Sequence, residues 1–229
     1  MTGGANDVPL ALRAVLFDMD GTLVDTEPYW IEAEYALVEA FGGTWTDAHA
    51  HALVGNALLT SAEYIREHGN VDLDPPEIVE RMLDHVVLAA EAHLPWRPGA
   101  LALLAEVRAR GVACGLVTMS YTRLADAVVA GLPPGTFSTV VTGDQVLDGK
   151  PHPEAYLTAA VRLGAPPDRC VAIEDSPTGI ASAEAAGCVV VAIPHAVPID
   201  PADSRVIVES LTELSVDALD ALVRARRLS

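Results

Sequence analysis

The chain has 229 residues, enough for one large α/β unit or a core with an appended domain, but not for three ordinary domains. Its 14 Lys+Arg against 32 Asp+Glu leave a formal charge of −18, a field that repels phosphate backbones and anionic lipid and argues against nucleic-acid or membrane partners. A hydrophobic content of 51% excludes a disordered chain, and no apolar run reaches the roughly 18 residues of a membrane-spanning helix.

The N-terminal stretch MTGGANDVPLALRA lacks a basic region followed by an apolar one, so no export signal is expected and the cytoplasm is the expected location. In chain order, the first element is Ala14-Val15-Leu16-Phe17, a continuous apolar run of the kind that suits a strand buried on both faces. It stops at Asp18-Met19-Asp20-Gly21-Thr22. Helical patterns follow over Tyr29 to Phe41, Leu58 to His68 and Glu77 to His93, with no convincing strand between them. The connection from Asp18 to Thr118 far exceeds the ~30 residues of a βαβ unit, so an inserted helical domain over 23–97 is expected, with a core built from 1–22 and 98–229. Trp30, Tyr35, Phe41, Trp45 and Tyr64 fall in the insert and read chiefly as its core.

Beyond the insert, strands are expected at Cys114 to Val117, Thr139 to Val141, Cys170 to Ile173 and Cys188 to Ile193. Helices are expected at Ala100 to Arg110, Thr122 to Ala130, Pro153 to Leu163 and Pro177 to Ala186, each followed by a glycine suited to a left-handed cap. A closing helix is expected over Asp217 to Arg227. Strand alternating with helix predicts an α/β fold, a Rossmann-like doubly wound parallel sheet. Cys114, Cys170 and Cys188, odd in number and set in apolar runs, read as reduced core residues.

Asp18, Asp20, Thr118, Glu174 and Asp175 each follow a predicted strand at its carboxyl end, where open α/β sheets bind ligands. Clustered carboxylates repel one another unless a cation joins them, and hard oxygen ligands favour Mg²⁺ over zinc or copper. Of the 14 basic residues 13 are Arg, and the single Lys150 supplies a compact ammonium that, with the Thr118 hydroxyl, suits phosphate oxygens. A carboxylate nucleophile, a divalent cation and phosphate-binding donors together make a phosphoryl-transfer site. Asp18 is then the attacker, and Asp20, two residues on, the proton donor. A calcium loop fails because Tyr29 stands where the bidentate Glu of such a loop belongs. A plain Asp-Gly turn is the ordinary alternative. His49 and His51 alternate and have no third partner at useful spacing, so zinc is not expected there.

The segments Asp-Met-Asp-Gly-Thr at 18–22, Leu-Val-Thr-Met-Ser at 116–120, Gly-Lys-Pro-His-Pro-Glu at 149–154 and Ile-Glu-Asp-Ser-Pro-Thr-Gly-Ile at 173–180 resemble, in order and spacing, the four signature motifs of the haloacid dehalogenase-like hydrolases. The resemblance implies a Rossmann-like core with a helical cap inserted after the first motif. It implies Asp18 as a nucleophile that becomes an aspartyl phosphate, Asp20 as general acid and then base, and Thr118 and Lys150 as holders of the phosphoryl oxygens. It further implies Mg²⁺ held by Asp18, the Asp20 backbone carbonyl and Asp175, with Glu174 beside it. Met119 departs from the small or polar residue usual at its place.

Within the superfamily, Asp20, Glu174 and Asp175 argue against metal-free dehalogenation, and a lysine-free insert argues against Schiff-base phosphonate cleavage. A β-phosphoglucomutase-type mutase needs cap cations for a second phosphate, yet Leu58 stands where such mutases carry Arg, leaving only Arg66 and Arg81 as substitutes. A non-catalytic ligand- or protein-binding module is a further alternative. Asp25-Thr26-Glu27-Pro28-Tyr29-Trp30 resembles the cap entrance of hexitol- and 2-deoxyglucose-6-phosphate phosphatases, which implies Glu27 and Trp30 beside substrate hydroxyls, with Gly55 and Ser120 as further substrate contacts. The expected activity is Mg²⁺-dependent hydrolysis of small phosphate monoesters, sugar or polyol phosphates foremost, by a monomer or weak homodimer.

Overall fold

A computed structural model describes residues 9–53 and 56–227. Strand β1 (Ala14–Phe17) leads into four helices, α1 (Glu27–Ala40), α2 (Asp47–Leu53), α3 (Leu58–His68) and α4 (Pro75–Ala92). The alternating part follows: α5 (Ala100–Ala109), β2 (Ala113–Val117), α6 (Thr122–Ala130), β3 (Thr139–Val141), α7 (Glu154–Leu163), β4 (Cys170–Glu174), α8 (Pro177–Ala185), β5 (Val189–Ala192), β6 (Arg205–Ile207) and α9 (Val216–Arg226). All strand pairs are parallel and the sheet order is β3-β2-β1-β4-β5-β6, the doubly wound order in which the chain reverses direction between β1 and β4.

Successive side chains of a strand point to opposite faces, and both faces here are apolar. Val15, Phe17, Leu116 and Ile173 pack on the side of α5 and α9, whereas Leu16, Val117 and Ala172 pack against Tyr156, Ala159 and Ile180 of α7 and α8. The register pairs Phe17 with both Leu116 and Ile173, so Asp18 comes level with Val117 and Glu174 at one edge of the sheet. The two stretches flanking the four-helix insertion pair with each other: Asp25 N–H donates to Pro95 O at 2.9 Å and Arg97 N–H to Leu23 O at 2.8 Å. The insertion therefore stands on a two-stranded stalk. Its long helix α4 packs on α6, where Arg123 pairs with Glu80 at 2.8 Å and Asp84 at 2.6 Å.

Two elements depart from the sequence expectation. Strand β6 lies at the sheet edge with Val206 exposed, so it lacks the buried apolar run that marks the other strands. Helix α2 buries only Ala50 and Leu53, and its Ala/His alternation hides the helical period. Gly111, Gly164 and Gly187 take the left-handed conformation expected after helices, but Gly131 does not, with φ −75°. A Cβ on Gly131 would come against the end of the Leu94 side chain, so what this glycine meets is the insertion rather than a need for backbone handedness. The three cysteines are free and buried, and burial pushes the Cys170 and Cys188 thiols up to about 12. Among the described residues no helix is long and apolar enough to cross a membrane.

Candidate active site

The strand ends build the site. Asp18, the residue after β1, is 7% exposed and donates its backbone N–H to Ile173 O at 3.0 Å, which ties the β1 end to β4. Its Oδ1 accepts from Lys150 Nζ at 2.7 Å. The same ammonium donates to Val117 O at 2.9 Å and Glu174 Oε1 at 2.6 Å, so all three of its donors are used. Glu174, at the end of β4, is fully buried and also accepts from Tyr156 Oη at 2.7 Å and from the Ser176 hydroxyl at 3.2 Å. Its neighbour Asp175 accepts from Thr22 Oγ1 at 3.1 Å.

Close packing around these acids explains two glycines. A Cβ on Gly21, whose φ is +81°, would collide with the Asp175 carboxylate, and one on Gly179 would collide with that of Glu174. Helix α8 begins at Pro177, and its Ser176 cap accepts from Gly179 N–H at 3.0 Å, so the chain after Asp175 is held in place by an ordinary helix start.

Carboxylate oxygens of Asp18, Glu174 and Asp175 lie within 4.8 Å of one another. Burial raises the Asp18 carboxyl well above the usual range, with Glu174 and Asp20 adding to the effect and Lys150 opposing it. Burial also raises Asp175 strongly, together with the charges of Asp18 and Glu174. Burial alone would lower Lys150, but Asp18 and Glu174 outweigh it and hold the ammonium charged. Three acids facing one ammonium leave uncompensated negative charge, and every donor in the cluster is a hard oxygen. Such a set fits a divalent cation of the Mg²⁺ kind.

Asp20 turns its carboxylate elsewhere. Thr26 Oγ1 donates to Oδ1 at 2.5 Å, and Ser120 Oγ and Thr118 Oγ1 donate to Oδ2 at 2.7 and 3.2 Å. The carboxylate is not part of the three-acid cluster, so only its backbone carbonyl is left for the metal role that the resemblance implies. Met119 lies beside the Lys150 loop, where Sδ accepts from Lys150 N–H at 3.2 Å.

A cavity of about 330 Å³ opens over these groups. Asp18, Asp20, Thr118, Ser120, Lys150 and Asp175 line its sheet side, and Glu27, Trp30, Glu34, Leu58 and Met82 its helical side. Of the sequence-derived substrate candidates, Glu27, Trp30 and Ser120 reach this cavity, and Gly55 lies outside the described residues. Burial pushes the Glu27 carboxyl up to about 7, assisted by Asp20 and Asp25. Arg66 is exposed, and Arg81 pairs with Glu77 and covers the Phe41 ring at 5.8 Å; neither lines the cavity. His51 Nδ1 contacts Asp47 O at 2.6 Å, while His49 lies among the rings of Trp45, Tyr64 and His68.

Two ionisable residues of the cavity lining, Glu34 and His195, were not singled out by the sequence. Glu34 sits two turns beyond Glu27 on α1, and that spacing was the available signal. His195 follows β5, so the strand-end rule already pointed to it. Arg97 Nη1 contacts His195 Nδ1 at 2.8 Å, and His195 Nε2 contacts Asp25 Oδ1 at 3.0 Å. A guanidinium only donates, so the imidazole accepts through Nδ1 and gives its Nε2 proton to Asp25.

A family model for haloacid dehalogenase-like hydrolases matches residues 12–187. Hexitol phosphatase A of Escherichia coli is 35% identical over 191 residues, 79% of this chain and 82% of that protein. A phosphorylated carbohydrates phosphatase of Thermotoga maritima is 30% identical over 177 residues, 77% of this chain and 82% of that protein. The crystal structure of CbbY from Rhodobacter sphaeroides in complex with phosphate superposes with a TM-score of 0.83 at 27% identity, covering 91% of this chain and 99% of that one.

Proposed function

The chain belongs to the haloacid dehalogenase-like hydrolases, and on that premise we propose that it is an Mg²⁺-dependent phosphatase of small phosphate monoesters, sugar or polyol phosphates foremost. The observation that carries this reading is the meeting of Asp18, Lys150 and Asp175 where β1 and β4 end side by side, with Asp20 two residues from Asp18.

In the proposed reaction an Asp18 carboxylate oxygen attacks the phosphorus, the bond to the ester oxygen breaks, and Asp20 gives that oxygen its proton. Asp20 then takes a proton from water as the water oxygen attacks the phosphorus of the acyl phosphate, which releases inorganic phosphate and restores Asp18. Lys150 holds the attacking carboxylate by its 2.7 Å contact and offsets part of the charge collected there. Thr118 and Ser120 orient Asp20 from one side and Thr26 from the other. A divalent cation held by Asp18, Asp175 and the Asp20 carbonyl, with Glu174 beside it, supplies neutralisation of the phosphate oxygens. Residues 23–97 serve as a cap that covers the ester and excludes water, pivoting on the paired stalk about a core of 1–22 and 98–229. The reducing cytoplasm is the proposed location, where Cys114, Cys170 and Cys188 remain thiols.

The test is release of inorganic phosphate from p-nitrophenyl phosphate and a panel of sugar and polyol phosphates, with and without Mg²⁺, for the native chain and Asp18→Asn. Metal-dependent turnover that the variant loses while keeping its fold is expected. Turnover retained by Asp18→Asn, or a native chain inert toward every ester with Mg²⁺ present, contradicts the reading. Conversion of β-glucose 1-phosphate in the presence of trace bisphosphate would show a mutase instead.

A further inference from the structure

Glu34 is 4% exposed, and the cavity is one of its surroundings. It lies seven residues after Glu27, which places both on one face of α1 about 10 Å apart along the axis. Trp45 Nε1 donates to Glu34 Oε2 at 3.0 Å. The indole is itself fixed, 7% exposed, with His49 at 4.7 Å and the Tyr64 ring edge-on at 6.0 Å. Among the described residues Glu34 Oε1 accepts no hydrogen bond, and because no buried side-chain oxygen is left without a partner, this oxygen is open to the cavity. Burial pushes this carboxyl up to about 7 against the pull of Trp45. A buried acid with one neutral partner is costly, and a glutamine would accept from Trp45 equally well. The free oxygen therefore calls for a donor from within the cavity.

The charges around the cavity limit what that donor belongs to. Among the described lining residues the only ammonium is Lys150, which is engaged by Asp18 and Glu174 at the sheet side. Both ring nitrogens of His195 are engaged, by Arg97 and Asp25. Among the described residues the helical side therefore presents two carboxylates, Glu27 and Glu34, and no cation.

We propose that Glu34, oriented by Trp45, is a specificity-determining residue that takes a hydroxyl or ammonium donor from the far end of the substrate and turns away esters carrying a second anion there. This rests on the phosphatase reading above and names the substrate class of the same cavity: monophosphates with an uncharged or cationic, donor-rich tail. In their ionised form, which prevails above about pH 7, these carboxylates accept from such groups, whereas a second phosphate or carboxylate meets like charge with no counter-ion, so the discrimination is read above that pH.

The deciding experiment compares D-sorbitol 6-phosphate with 6-phosphogluconate, which share a six-carbon chain but end in a hydroxymethyl or a carboxylate, and glucose 6-phosphate with glucosamine 6-phosphate. Turnover is measured on the native chain, with p-nitrophenyl phosphate as a reference ester, and binding of the first pair to Asp18→Asn is measured by calorimetry. A preference of about tenfold or more for sorbitol 6-phosphate is expected in both readouts, with the amine accepted at least as well as the hydroxyl. Glu34→Gln is expected to shrink that preference several-fold, and Trp45→Phe to raise KM for sorbitol 6-phosphate more than it lowers kcat. Equal use of the first pair by the native chain, or a preference that Glu34→Gln leaves unchanged, overturns the inference. If either variant fails to fold, the native chain's discrimination alone decides. Preference in binding without turnover of any ester sinks the phosphatase reading and leaves this one standing; turnover without preference does the reverse, and absence of both sinks both.

Discussion

Thr26 Oγ1 donates to Asp20 Oδ1 at 2.5 Å, so the first residue beyond the stalk holds the acid that is proposed to protonate the leaving oxygen. A correctly placed general acid contributes typically 10²- to 10⁴-fold. Thr26→Val keeps the shape and removes the donor. It is expected to lower kcat about tenfold on sugar phosphates and much less on p-nitrophenyl phosphate, whose leaving group scarcely needs a proton. Equal losses on both esters would show that Thr26 acts on something other than Asp20.

Gly21 combines a left-handed backbone with van der Waals contact against Asp175, whereas Gly42, φ +71°, has nothing within 4 Å of an added Cβ. Gly42→Ala is therefore expected to cost only the backbone effect, about 1 kcal/mol. Gly21→Ala should cost clearly more and should also weaken Mg²⁺ activation, because Asp175 must move. Urea denaturation of both variants and a Mg²⁺ titration of activity check this.

Burial raises Glu34 from 4.5 to about 7, which makes its effect on stability depend on pH. Between those values the unfolded chain releases the proton first while the folded chain keeps it, so stability falls as pH rises. Relative to Glu34→Gln, the native chain is expected to lose stability from about pH 4.5 to about pH 7 and to run parallel above that. Parallel urea midpoints across the whole range would show that the carboxyl is not perturbed.

His195 ties the loop after β5 to both strands of the stalk, through Asp25 and Arg97. His195→Ala is expected to destabilise by about 1–2 kcal/mol, since it removes two hydrogen bonds, at least one of them to a charged group. In a cycle with Asp25→Ala the two losses should fall short of additive by at least about 0.5 kcal/mol. Strict additivity in urea denaturation would show that the 3.0 Å contact carries no energy.

Much of this molecule was legible before any fold was known. Strand β1, strand β3 and helix α6 occupy the residues that apolar runs and their stops indicate, because a strand buried on both faces must be apolar throughout and a helix must end where its cap permits. The acids at strand ends were legible for the same reason, and so was the lone lysine. Gly131 was read correctly as a glycine at a helix end, but its backbone is not left-handed, and the neighbour an added Cβ would meet first, Leu94, is distant in sequence.

What the chain alone left open was decided by strand order and register. Lys150 and Asp18 are 132 positions apart, and they meet because β4 lies beside β1 while the loop after β3 folds back over them. Local periodicity carries no information about which strand neighbours which, so the ammonium's three contacts, the turn of Asp20 toward Thr26 and the burial of Glu34 against Trp45 arise only from packing. Residue types and their spacing determined what chemistry was possible; the tertiary arrangement decided which oxygen faces which donor, because charge and hydrogen bonding act through distance in space rather than along the chain.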